Sequence, residues 1–217
     1  MSDLTRTRVP PMPAGPGRKT SPLATAVAVV VAGLALGFLT LLGQTALDGA
    51  WLALVNSGAM WLLPAFVAGA AMRTDPAAAL AGAGLLVAAV VGYYAPVPLV
   101  VEGAAASSRS VAIWSATALV GGPVYGVAGR WSRGAGGWRR VAALGLLGGA
   151  FVAEGLARIG INHDRAAGLA MVLAGVVIPL ALGRSGRERT RSLLAIVPVV
   201  AVTAVAYKII NWLFLHG

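Results

Sequence analysis

Seven apolar runs, each about as long as a helix must be to cross a bilayer, constrain this chain more than any other feature. A hydrocarbon core of roughly 30 Å takes about 20 residues at 1.5 Å per residue. The runs cover residues 22–47, 51–72, 76–94, 110–129, 141–161, 166–183 and 192–215. Of 217 residues, 58% are hydrophobic before 29 glycines are counted, and 11% are charged, against about 25% charged in soluble domains. So much apolar surface cannot be hidden in one small core, and lipid is the solvent that the sequence requires. The fold class that follows is an all-α polytopic membrane protein with about seven transmembrane helices. Six helices with one re-entrant pair is the alternative, because only Asp48 and Gly49 separate the first two runs and the third trails into Ala95-Pro96-Val97-Pro98.

Charge placement favours seven. Cytoplasmic loops carry the excess of Lys and Arg. With the N-terminus inside, 13 of the 17 basic residues fall on the inner side: Arg6, Arg8, Arg18, Lys19, Arg73, Arg130, Arg133, Arg139, Arg140, Arg184, Arg187, Arg189 and Arg191. Arg109, Arg158, Arg165 and Lys208 fall outside or near outer helix ends. The expectation is N-terminus inside, C-terminus outside, in the cell (inner or plasma) membrane, and the net charge of +10 reads as topology rather than as a nucleic-acid surface. Residues 1–21, basic at both ends with four prolines between positions 9 and 17, are expected to be a disordered cytoplasmic tail. Residues 22–217 form the bundle.

Several chemistries are excluded. The chain has no cysteine and only His163 and His216, which removes disulfides, thiolate metal sites, cysteine nucleophiles and a histidine-rich metal centre. No zinc-protease, nucleophile-elbow, phosphate-loop or dinucleotide motif is present, and neither Ser57 nor Ser115 has an intramembrane histidine partner. No catalytic residue, cofactor or metal is therefore expected. Asn162-His163-Asp164-Arg165 reads as a solvated loop.

Lipid tails are as apolar as leucine, so small residues and interhelical hydrogen bonds must hold the helices together. Gly33 and Gly37, Gly122 and Gly126, and Gly145 and Gly149 each put two glycines on one helix face. The strip Gly33, Gly37, Thr40, Gln44 and the strip Ala118, Gly121, Tyr125, Gly129 are expected to face inward. Pro64, Pro123, Pro179 and Pro198 lie within or near spanning segments, where each removes a backbone donor.

Ionisable groups within a bilayer cost about 2.5–3.5 kcal/mol at its centre and need a reason to be there. Glu154 is the clear case, with Arg158 one turn later in the favourable order for an intrahelical pair. One reading makes them a neutralised pair with Arg158 snorkelling to the interface. The other sets them in a pocket, because Gln44, Asn56, Ser57, Tyr93, Tyr94, Trp114, Ser115, Lys208 and Asn211 all fall toward the outer side. Glu154, Arg158, Lys208, Asn56, Gln44, Asn211, Tyr93 and Trp114 are then the candidate ligand-binding residues. On this reading the protein binds or passes a small polar solute through an outward-facing pocket. The alternative function is a structural or accessory membrane protein with no transport activity. Beyond the lipid bilayer and that ligand, a second copy of the chain or a partner subunit is the expected company.

At Asn56-Ser57-Gly58-Ala59-Met60-Trp61, Gly92-Tyr93-Tyr94 and the stretch from Gly37 to Gln44, the chain resembles a family of uncharacterised actinobacterial integral membrane proteins of similar length, over most of residues 22–215. That resemblance implies a multi-pass membrane protein and no particular activity. A fainter one is to the substrate-binding membrane subunits of energy-coupling-factor vitamin transporters, which are small, helical, rich in Ala and Gly, and bind substrate near the outer face. It implies a partner subunit that supplies energy. Those subunits have six helices with both ends inside, unlike the seven read here.

Overall fold

The computed structural model describes residues 21–103, 105–134 and 136–216, with no strand among them. The expected tail lies outside the described residues apart from Ser21, and the side chain of Asn211 is also outside them. Nine helices follow in order: α1 (Pro22–Ala46), α2 (Gly49–Val55), α3 (Gly58–Ala70), α4 (Asp75–Tyr94), α5 (Val97–Val100), α6 (Ser108–Ser132), α7 (Trp138–Gly160), α8 (Arg165–Leu182) and α9 (Gly186–His216). Their starts are written in the sequence. Ser21, Ser57, Thr74, Ser107 and Asp164 each accept a hydrogen bond from a backbone N–H of the first turn, which satisfies a donor that the helix itself leaves free. Helix α9 begins six residues before the apolar run it contains, so Arg187, Arg189 and Arg191 are helical rather than part of a loop.

Six helices are long and apolar enough to cross a membrane, and α2 with α3 forms a further pair bent by 47°. Helix α3 runs along much of the bundle. The Ala70 carbonyl accepts from Arg133 Nη1 at 3.1 Å, at the end where α6 finishes, while Ser57 meets Glu154, which is about 24 Å along α7 from Trp138 at the helical rise. The second apolar run is thus helical on both sides of a break at Asn56 and Ser57, which makes seven spans if the bent pair is one span and six with a re-entrant pair if it is not.

Helix α4 lies between α1 and α6, α3 packs on α6 and α4, and α7 joins this group to α8 and α9. Glycine sets these contacts. A Cβ on Gly37 would overlap the carbonyl of Ala89, one on Gly126 the carbonyl of Ala78, and one on Gly129 the carbonyl of Phe66; only bare backbone allows such approach. The strip on α1 is inward as expected, with Gly33, Gly37 and Thr40 buried. On α6 the buried strip is Ala118, Gly122, Tyr125, Gly126 and Gly129, and Gly121 lies beside it, against Leu62. All four prolines fall inside helices.

The end of the bundle that carries most arginines is fastened by them. Arg130 pairs with Asp75, which also accepts from Trp131 Nε1 at 3.1 Å. Arg140 donates to the carbonyls of Ser132 and Leu182 and pairs with Glu188 at 2.9 Å. Arg184 reaches Gly134 O at 2.9 Å, and Arg189 reaches Gly183 O at 3.0 Å. These are the last carbonyls of α6 and α8 and their adjoining turns, which have no partner within the helix. We call this the basic end.

Candidate functional site

A half-open cavity of about 230 Å³ lies toward the other end, between α1, the α2–α3 break, α4 and α6. Helical spacing builds its walls. Gly58, Trp61 and Leu62 on α3, Val90, Tyr93 and Tyr94 on α4, and Trp114, Thr117 and Ala118 on α6 are each an i, i+3, i+4 triplet on one face. Thr40 and Gln44, one turn apart on α1, complete the lining with Val55, Asn56, Ser57 and Leu86.

Three polar side chains tie the elements together. Tyr93 donates its hydroxyl hydrogen to Gln44 Oε1 at 2.5 Å, and Gln44 Nε2 donates to Asn56 Oδ1 at 3.2 Å. Trp61 stands edge-on to Tyr93 with ring centroids 6.2 Å apart, and Tyr93 to Tyr94 at 4.8 Å, the offset arrangement that ring quadrupoles favour.

The break in α2–α3 is held from behind by α7. Glu154 Oε2 accepts from Ser57 Oγ at 2.9 Å and from the Ala59 N–H at 2.8 Å, at the start of α3. Arg158 Nη2 donates to Ala53 O at 2.7 Å and Asn56 O at 2.8 Å, at the end of α2. The two side chains pair with each other at 2.9 Å. Each charge thus faces the helix end of opposite partial charge, the carboxylate at an N-terminus and the guanidinium at a C-terminus. The expected intrahelical pair is present, but Arg158 is buried rather than snorkelling outward, because the broken helix offers it carbonyls that water would otherwise satisfy.

Of the expected ligand-binding residues, Gln44, Asn56, Tyr93 and Trp114 line the cavity, together with Ser57 and Tyr94. Glu154 and Arg158 do not: they sit behind the wall and position it. Lys208 is exposed on α9, a helix that Gly145 and Gly149 of α7 draw against Ala195 and Val199, on elements that do not bound the cavity. Asn211 cannot be assigned to it, its side chain being outside the described residues. Trp61 and Thr117 were not anticipated, though each lies one turn from a residue that was. Asp164, in the loop read as solvated, caps α8 through the Ala167 N–H at 3.1 Å. No cluster of metal-ligating side chains occurs among the described residues.

Neither a curated protein nor a solved structure is similar enough to the chain to match it. A family model does match, over residues 16–212, which takes in every wall of the cavity. The chain belongs to that family, described as a family of unknown function (DUF6518).

Proposed function

We propose that this protein is a multi-pass component of the cell membrane that binds a small solute in the α1–α3–α4–α6 cavity, for permeation or for delivery to a partner subunit of the kind the energy-coupling-factor resemblance implies. The observation that carries this reading is the cavity itself, where amide, hydroxyl and aromatic groups from four helices and the α2–α3 break converge. The arginine-rich end supports an N-inside orientation, which turns the cavity outward. A competing reading, an accessory protein whose polar groups only bind helices together, is favoured by Glu154 and Arg158, whose bonds run to protein groups alone.

The absence of native cysteine makes a direct test available. Single cysteines at Thr117 and Asn56, with Arg133 and Asp164 as controls, are labelled in intact cells with a membrane-impermeant thiol reagent. Labelling at Asp164, Asn56 and Thr117 but not at Arg133 is expected. Labelling at Arg133 alone would reverse the orientation, and a protected Thr117 in a folded protein would favour the accessory reading.

A further inference from the structure

Four of the five hydroxyls that line the cavity give their hydrogen to the protein. Thr40 donates its hydroxyl hydrogen to Leu36 O at 2.8 Å, Thr117 to Ile113 O at 2.9 Å, Ser57 to Glu154 Oε2 at 2.9 Å and Tyr93 to Gln44 Oε1 at 2.5 Å. A hydroxyl has one hydrogen and two lone pairs. Once the hydrogen is committed to the protein, lone pairs are all that it offers a guest. The donors left in the wall are neutral: the Tyr94 hydroxyl, the indole N–H groups of Trp61 and Trp114, and the amide hydrogens of Asn56 with the one Gln44 hydrogen not given to Asn56.

The wall carries no formal charge: among the described residues neither a basic nor an acidic side chain lines the cavity, so no cation of the protein's own opposes a charged guest. The guanidinium behind it, Arg158, is bound to Ala53 O, Asn56 O and Glu154. The Glu154 carboxylate lies behind the wall at Gly58, where a Cβ would meet Oε2 at 3.8 Å and nothing else within 4 Å. Four aromatic rings, Trp61, Tyr93, Tyr94 and Trp114, supply faces of negative potential.

We propose that the guest of this cavity is a small organic monocation of the alkylammonium class, held by aromatic faces and oxygen lone pairs. The proposal rests on the reading of the cavity as a binding site, and the two can fail separately. Two of the wall residues are tryptophans, so binding to the purified protein in lipid nanodiscs is read by intrinsic fluorescence. The probes are choline, its uncharged carbon isostere 3,3-dimethyl-1-butanol, and acetate. Saturable binding of choline is expected, with the isostere weaker by roughly tenfold or more and no binding of acetate. Tyr93→Leu, which removes a ring, is expected to weaken choline by up to about tenfold; Thr117→Val keeps the shape of the wall and, because choline has no N–H for the lost oxygen to accept, weakens it less. Isostere or acetate binding as tightly as choline would overturn the cation class and leave the binding site standing. No saturable binding of any probe, with Thr117 closed to the thiol reagent, would overturn both. Choline binding unchanged in Tyr93→Leu would place the cation elsewhere and overturn the assignment.

Discussion

The clearest energetic prediction concerns the two charges that hold the break between α2 and α3. Replacing Arg158 with leucine leaves the Glu154 carboxylate without its cation and two carbonyls, Ala53 O and Asn56 O, without donors. Breaking a buried pair from one side costs about 3–5 kcal/mol. The Glu154 side chain keeps 19% of its surface and Arg158 keeps 9%, so some solvent screening remains and about 3 kcal/mol is the working figure. For a chain of this size about 2–4 °C of melting temperature corresponds to each kcal/mol, giving a loss of roughly 6–12 °C. Glu154→Leu should cost a similar amount, since it strands the guanidinium and frees the Ser57 hydroxyl and the Ala59 N–H. The double variant Glu154→Leu/Arg158→Leu removes both charges and is expected to be more stable than either single variant, with a coupling of at least about 2 kcal/mol. Thermal unfolding of the four proteins in one detergent, followed by tryptophan fluorescence, closes the cycle. Single losses that add in the double variant would refute the clamp, because independent side chains add and a mutually neutralising pair does not.

Glycine substitutions should split by contact. Gly126→Ala and Gly129→Ala place a methyl on a facing carbonyl and should destabilise by about 1–3 kcal/mol or more, whereas Gly160→Ala, which meets nothing within 4 Å, should be neutral or stabilising by up to about 1 kcal/mol; the same unfolding assay compares them. Arg140→Lys should behave nearly like Arg140→Met, because an ammonium cannot serve the Ser132 and Leu182 carbonyls and Glu188 together, and rescue by lysine would contradict this. Tyr93→Phe should cost only about 1 kcal/mol of stability while loosening Gln44, read as greater thiol accessibility of a cysteine at Thr117, which leaves the Gln44–Asn56 bond in place.

Span positions were legible because lipid imposes a length and an apolarity that the sequence must satisfy residue by residue. The inward strip on α1 was legible for the same reason, its small residues recurring at helical spacing. The break at Asn56 and Ser57 was not read, although its signal is present: an asparagine, then a capping serine, then a glycine, in the middle of an apolar run. Hydropathy averages over such a tripeptide, and the charges that stabilise it come from α7, far along the chain. The site was half legible. Depth along each helix brought Gln44, Asn56, Tyr93 and Trp114 to one level correctly. Depth does not say which helices are neighbours, and for that reason Lys208, on α9, was grouped with residues it does not join. Neighbour relations here follow from which glycine faces match, and that pairing is not encoded in any single helix.

The arginine staples at the basic end bear on the order in which the chain is put together. Arg140 is made early in α7, yet its guanidinium bonds to the ends of α6 and α8 and to Glu188 in α9. Helices entering the membrane one after another during synthesis leave that cation waiting until the last of them has arrived. A chain interrupted before Glu188 therefore leaves Arg140 bonded to carbonyls alone at the basic end, without the carboxylate that neutralises it. The final helix, which touches no wall of the cavity, is in this sense the seal on all that precedes it.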